Sequence, residues 1–393
     1  MGQPVILDGA RTPVGRLGGS LSSLAGTELG TIALRAAIER SGVAPGDISK
    51  VILGQVLQGG AGQNPARQVA FAAGLDKTVT SETVNRVCGS GILAIAQACN
   101  LIRLDEHRAI SAGGMESMSQ APFFVRNARF GYRFGGGSFE DLMIVDGLYC
   151  AITHQQMGEQ ADGVAAEEHL SRELQDEWAL RSHQKAVAAI DSGRFARDIV
   201  PVEVRQKRAK VTVDTDESPR RDTSIEALAR LKPAFGEGGV TTAGNAPGVN
   251  DGAAAVIVAD EAFADERGYA IRAKILAHAD AAWDAPYLAY TPALAAEKAL
   301  AKIGLTATDV DLWEINEAFA SVALIASGRL GIDPEKVNVN GGAVAIGHPL
   351  AASGPRILLN LIEELTQRGG GIGVAAICSG GGQGDAMVVS VGR

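Results

Sequence analysis

The chain has 393 residues, 46% hydrophobic and 21% charged, with a formal net charge of −9, the length and balance of a well-packed soluble enzyme of two or three domains. An acidic chain offers no broad basic face for phosphates, which argues against a nucleic-acid partner. No run approaches the roughly 18 uninterrupted apolar residues of a membrane span, so no membrane partner is expected.

The N-terminus, Met1-Gly2-Gln3-Pro4, runs into the apolar Val5-Ile6-Leu7 without a basic-apolar leader, and Val391-Gly392-Arg393 is not a peroxisomal address; a cytoplasmic location is expected. Four cysteines at irregular spacing (Cys88, Cys99, Cys150, Cys378) form neither a disulfide framework nor a metal-ligand pair, so reduced thiols and no metal are expected. The 49 glycines, roughly 12% against a typical ~7%, point to tight turns and close backbone approach.

In chain order, Gly42 to Ile48 reads as a helix end and loop leading into a buried strand at Val51 to Gly54. A strand-like stretch, Thr83 to Val87, precedes Cys88 and then Ile92 to Ile102, a run of helix formers apolar on nearly every side. Cys88 is therefore expected to cap a buried helix, where unpaired N–H groups and the helix dipole favour a thiolate near neutral pH. Residues 119–248 are richer in charge and loops. They hold helices at about Met157 to His169 and Ser171 to Ser192, the second capped by Ser171 and stopped by Gly193. Among their basic residues, Arg126, Arg129, Arg133, Lys207, Arg208, Lys210, Arg220 and Arg221, most read as solvated charge and a few as candidates for binding phosphate.

Beyond the insertion the early pattern returns. Gly304 to Val310 leads into Trp313 to Asn316 as Gly42 to Ile48 led into Val51 to Gly54; Val339-Asn340 matches Val84-Asn85; Ile377 to Gly381 matches Ile110 to Gly114. Asp385 to Val391 closes the second half as Asp251 to Val258 closes the first. The reading is an internal duplication: residues 1–118 with 249–270 form one half, 271–393 the other, and 119–248 an inserted, lid-like loop domain. Alternating short β-branched runs and helical patterns make the class α/β, with mixed, largely parallel sheets covered by helices.

Glycine-rich turns carry the chemistry. Cys88 lies in Asn85 to Gly91, Cys378 in Cys378 to Gly384, and His348 in Gly347-His348-Pro349. Superposing the halves brings Cys88, His348, Cys378 and Asn316 to one end of the sheets, with glycine-flanked N–H groups free to donate. A nucleophilic sulfur, a base, a second sulfur and an amide in one place suit carbon–carbon bond making or breaking beside a thioester. A phosphate-cradling role for Gly380 to Gly384 is disfavoured, because no Gly-Lys-Ser/Thr follows and a strand comes next.

Over essentially its whole length the chain resembles a thiolase. The resemblance rests on Asn85 to Gly91, Asn316-Glu317-Ala318-Phe319, Gly347-His348-Pro349 and Cys378 to Gly384. Gly113 to Ser117, Lys232 to Phe235 and Asn250 to Ala253 support it. It implies a five-layered αβαβα arrangement of two similar halves, no permanently bound cofactor, coenzyme A thioesters as substrates, and a homo-oligomer, a dimer of dimers. Carried over, Cys88 becomes acylated with help from His348, and Cys378 is the acid/base at the α-carbon. Asn316 holds a water that forms one oxyanion hole with His348; the N–H groups of Cys88 and Gly380 form the other. Leu148, Met157, Phe235 and Phe319 are placed on the acyl pocket, though composition alone suits them equally to a core. Pro247 falls near the pantetheine arm, and Arg220, or Arg221 beside it, near the CoA phosphates.

The resemblance favours acetyl-CoA acetyltransferase, with a broader-chain 3-ketoacyl-CoA thiolase next. Departures fall on the pocket: Gln156 where short-chain members usually have His, Pro247 where many have Ser, no Met-Gly within Pro286 to Pro292, and Ala351 for a usual Gly. A decarboxylating condensing enzyme would need a second histidine near Asn316, and none is there; a non-catalytic CoA or lipid carrier would not need Cys88 and His348. Cys99 and Cys150 read as structural, and His107, His154, His169, His183 and His278 carry no assigned role.

Overall fold

The computed structural model describes residues 2–206 and 209–392; Lys207 and Arg208, two of the basic residues singled out in the insertion, lie outside the described residues. The first half contributes strands β1 (Pro4–Arg11), β2 (Lys50–Gly54), β3 (Thr80–Val84), β4 (Ala109–Ser117) and β5 (Asn250–Asp260). The second contributes β6 (Ala273–Ala282), β7 (Leu312–Ile315), β8 (Gly371–Ser379) and β9 (Gln383–Val391). Their hydrogen-bonded order is β7-β8-β9-β6-β1-β5-β4-β2-β3. The halves meet where β1 pairs with β6 through only Val5–Lys274 and Ile6–Ala273.

Each strand's alternation of faces builds the layers. In β5, Ala254, Val256 and Val258 face helices α3 (Ser90–Arg103) and α9 (Ser353–Gln367), as do Ile377 of β8 and Met387 and Val389 of β9. The alternate residues Ala253, Ala255 and Ile257 of β5 face α1 (Gly26–Ser41), α2 (Pro65–Ala72) and α6 (Glu261–Arg267). Ala376 of β8 and Val388 of β9 face α7 (Thr291–Ala301) and α8 (Ala320–Leu330). The result is helix, sheet, helix, sheet, helix, with α3 and α9 in the middle. A helix between two sheets has little wet surface, which is why Ile92 to Ile102 is apolar on nearly every side, with Asn100 its exposed residue.

Two expectations need correction. The sheets are mixed, but only β2–β3, β2–β4 and β7–β8 are parallel; the other main pairings are antiparallel. Parallel neighbours need a long crossover, whereas β8 returns as β9 through Gly380-Gly381-Gly382, with φ of 78° and 70° at the last two. The duplication itself recurs in local detail: Gly42 (φ 66°) and the turn Pro45–Asp47 precede β2, as Gly304 (φ 71°) and Ala307–Asp309 precede β7. Lys50 pairs with Ile110, however, and its counterpart Leu312 pairs with Gly373. The match of Ile110 to Ile377 is thus four residues out of register, a likeness of glycine-bearing strand ends rather than of equivalent positions.

The insertion has no core of its own among the described residues. Its helix α4 (Met157–Glu167) packs beside Phe319 and Cys378, and Trp178 of α5 (Arg172–Asp191) joins the second half's outer cluster. Val202 and Val204 join that of the first half. The cap expected for α5 is present: Ser171 Oγ accepts from the Leu174 N–H at 3.3 Å, and Gly193 follows at φ 73°. Among the described residues no helix is long and apolar enough to cross a membrane.

Candidate active site

Cys88 lies in the turn between β3 and α3, one residue before the helix cap, which is Gly89. Val87, just upstream, has φ 47°, an uncommon and costly conformation for a β-branched residue. Local bonds hold it: the Val87 N–H donates to Asn85 Oδ1 (2.9 Å), and Ser90 Oγ donates to the Val87 carbonyl (2.6 Å) while accepting the Arg86 N–H (2.8 Å). Arg86 reaches across to the buried Asp385 of β9 (2.8 Å), which also meets His278 Nε2 (2.9 Å). The Gly89 N–H donates to Ser379 Oγ (2.8 Å). The turn that carries Cys88 is thereby tied to the second half.

His348 follows Gly347, whose φ of 114° suits glycine, and precedes α9 by five residues. Its N–H donates to Asn250 Oδ1 (2.9 Å), Nδ1 lies 2.6 Å from Ser353 Oγ, and Nε2 lies 3.2 Å from Cys88 Sγ. A serine hydroxyl serves either imidazole tautomer, so the ring can hold or release a proton at Nε2 without losing its anchor. The N–H groups of Cys88 and Gly380 both point at Cys88 Sγ, and Cys378 is close enough for the two sulfurs to repel as anions.

Burial works against the expected standing thiolate. Burial pushes the Cys88 thiol up to about 12 despite those two N–H donors. Burial, then the nearby Arg356, pushes His348 down to about 3, and burial followed by Cys88 raises Cys378 well above the ordinary thiol value. The resting group is neutral: thiol, imidazole, thiol. Charge must appear as a bond forms, when the N–H donors and the imidazole meet it.

Cys88, His348, Cys378 and Gly380 sit at the floor of one cleft. Its apolar wall is Met118, Leu148, Met157, Phe235, Leu288 and Phe319, with Gln156 and Pro247 also bordering it. Phe235 and Phe319 meet edge to face at 6.4 Å, and the Phe235 ring lies so close to Gly158 that a Cβ there would be 2.1 Å from it. The cleft continues along Ala246 to Val249 into an outer part lined by Arg16, His183, Ser218 and Arg220. Of the two adjacent arginines, Arg221 is paired with Asp191 (2.6 Å), leaving Arg220 to face the cleft. Asn316 is fully buried behind the imidazole, its Nδ2 3.5 Å from Nδ1, and is not part of the lining. Cys99 lies in the core and Cys150 is buried away from the cleft.

Sequence reasoning missed several supports. Ser353 is signalled by standing at the start of α9, five residues after the histidine; Asn250 appeared in a motif without a role. Glu116, also within a motif, is fully buried and accepts N–H bonds from Val56, Leu57 and Ala351 at 3.1, 3.0 and 3.3 Å, while burial raises it to about 7. It joins the loop after β2 to the segment after His348. Nothing in the sequence singled out Arg356.

The thiolase N-terminal domain family matches residues 4–262 and the thiolase C-terminal domain family residues 269–391. The chain is 47% identical to an acetyl-CoA acetyltransferase of Thiocystis violacea and 46% to one of Escherichia coli (strain K12), each over 98% of both chains. It is 49% identical to a probable acetyl-CoA acetyltransferase of Mycolicibacterium smegmatis over 98% of this chain and 100% of the relative. The crystal structure of the Bacillus anthracis acetyl-CoA acetyltransferase superposes with a TM-score of 0.97 at 41% identity, covering 100% of this chain and 99% of that one. With both domain families in sequence order, the same layered fold and two cysteines and a histidine at one cleft floor, the chain belongs to the thiolase family.

Proposed function

We propose that this thiolase is an acetyl-CoA C-acetyltransferase, joining two acetyl-CoA into acetoacetyl-CoA and CoA and running the reverse thiolysis. Cys88 Sγ attacks the first thioester carbonyl as its proton passes to His348 Nε2, and that proton leaves with the CoA sulfur. Cys378 passes its own proton to His348 and, as a thiolate, takes one from the α-carbon of the second acetyl-CoA; the enolate attacks the acyl carbonyl, the C–S bond to Cys88 breaks, and the released Cys88 sulfur takes the proton back from His348. The N–H groups of Cys88 and Gly380 receive the tetrahedral oxyanion. His348, with a water held by Asn316, receives the enolate oxygen. Leu148, Met157, Phe235 and Phe319 enclose the acyl group, Pro247 flanks the pantetheine arm, and Arg220 meets a CoA phosphate. The protein works in the cytoplasm as a dimer of dimers and needs no bound cofactor beyond its CoA substrates.

The 3.2 Å contact between His348 Nε2 and Cys88 Sγ, in a chamber shared with Cys378, carries this reading. A CoA carrier has no use for a base on its buried sulfur. The test is Cys378→Ala incubated with acetyl-CoA: mass spectrometry should find Cys88 acetylated, while condensation falls by a factor of about 10² to 10⁴. An unmodified Cys88 would overturn the division of labour. Steady-state rates across 3-ketoacyl-CoA chain lengths should fall beyond the shortest substrates; a flat profile would favour the broader-chain enzyme.

A further inference from the structure

Among the described residues three arginines are buried: Arg11, Arg194 and Arg356. Arg11 is neutralised by Asp216 at 2.7 Å, and Arg194 by Glu364 at 3.0 Å and Asp198 at 3.4 Å. Arg356, on the first turn of α9 and 3% exposed, has no carboxylate within ion-pair distance among those residues, and its Nε has no hydrogen-bond partner. The carboxyl that most affects it, Glu314, lies beyond ion-pair distance, is held by Asn360 at 2.6 Å and is raised by burial. Glu314, Asp216 and Glu317 stabilise its charge only from beyond ion-pair distance; a buried guanidinium without a direct partner is expensive, and a packing role alone would be filled more stably by an apolar side chain.

Its one side-chain hydrogen bond among the described residues goes to the active-site amide: Nη2 donates to Asn316 Oδ1 at 3.4 Å, while Asn316 Nδ2 lies 3.5 Å from His348 Nδ1. Arginine can only donate, so it accepts one orientation of the Asn316 side chain, carbonyl toward itself and NH₂ toward the imidazole. We propose that Arg356 is a positioning residue for the enolate-forming half-reaction, fixing the Asn316 amide as a donor and placing a positive charge behind the point where the enolate oxygen gathers charge. The proposal rests on the thiolase reading of Asn316 and His348. The first half-reaction, acylation of Cys88, relies on the N–H groups of Cys88 and Gly380 and should depend on Arg356 far less.

The test compares Arg356→Met, Arg356→Lys, Asn316→Ala and the double variant Asn316→Ala/Arg356→Met, following Cys88 acetylation by mass spectrometry and acetoacetyl-CoA formation by steady-state kinetics. Arg356→Met should acetylate Cys88 within about threefold of the parent rate, while condensation kcat falls on the order of 10²-fold, with KM changed much less. Arg356→Lys, which keeps a donor and the charge, should recover a large part of that loss. In the double variant the second substitution should cost no more than about twofold, because the two residues act as one unit. Equal losses in both half-reactions, or additive losses in the double variant, would overturn the proposal. Where the methionine variant does not fold, the same cycle with Arg356→Lys decides on the same criteria. Failure of the parent protein to acetylate Cys88 would instead defeat the thiolase reading itself.

Discussion

Cys88 and His348 meet as uncharged partners, and the magnitudes say why. A rise from an ordinary 9.0 to about 12 is roughly 4 kcal/mol against ionisation, whereas a helix N-terminus supplies only about 0.3–1 kcal/mol in favour. The helix was legible in the sequence; the depth of burial that outweighs it was not, because the walls come from residues as distant as His348 and Cys378. That Cys88, His348 and Cys378 share one cleft was legible, since glycine turns around a cysteine or histidine mark positions where the backbone must come close. Ser353, Asn250 and Arg356 were not, because what they do depends on partners 5, 98 and 40 positions away, a relation set only by folding. The neutral pair gives a prediction. Since the Cys88 thiol lies near 12 and the imidazole near 3, neither titrates between pH 6 and 9. Alkylation of Cys88 by iodoacetamide should therefore climb about tenfold per pH unit across that range with no plateau. A plateau near neutrality would reveal a standing thiolate–imidazolium pair and correct the burial argument.

Helices α3 and α9 set the distance between the two groups, because Cys88 and His348 stand just ahead of their first turns. Glycines let these turns interlock. A Cβ on Gly91 would lie 2.3 Å from Pro355 Cδ and 2.4 Å from the Ala351 carbonyl oxygen, and one on Gly354 would lie 2.6 Å from Ile92 Cγ1. None of these neighbours is the loose end of a flexible side chain, so an added methyl must push the helices apart. Gly91→Ala should destabilise the protein by about 1–3 kcal/mol, read from urea unfolding, and slow acetylation of Cys88 by widening the 3.2 Å contact. Unchanged stability and rate would mean that the crossing is not what fixes the site. At this scale the sequence was legible where a pattern is local, as in the caps of α5 and the apolar α3. It misled where pairing is at stake, since strand direction and the register of Ile110 against Gly373 depend on which strand lies alongside.

Large exposed hydrophobic side chains of the described residues are concentrated in one stretch of the chain. Four of its ten phenylalanines stand exposed in one stretch of the insertion: Phe123 at 62%, Phe130 at 91%, Phe134 at 96% and Phe139 at 77%. Scattered apolar residues on a surface mean little, but a group of aromatics on one loop marks a contact. At the far end of the first half, β3 is hydrogen-bonded on one side only, leaving an open strand edge where a second copy can pair. Two separate sticky surfaces on one chain generate a dimer of dimers if the strand edge makes the first contact and the aromatic loop the second. The sequence could not tell that these aromatics face outward, since exposed and buried phenylalanines look alike in a loop without periodicity. Phe130→Ser with Phe134→Ser should convert the proposed tetramer into a dimer in sedimentation velocity while leaving the turnover number per chain within about twofold, because neither residue borders the cleft. A double variant that still sediments as a tetramer would show that this loop is not the seam. One that falls to monomers would show that the loop, and not the edge of β3, makes the primary contact.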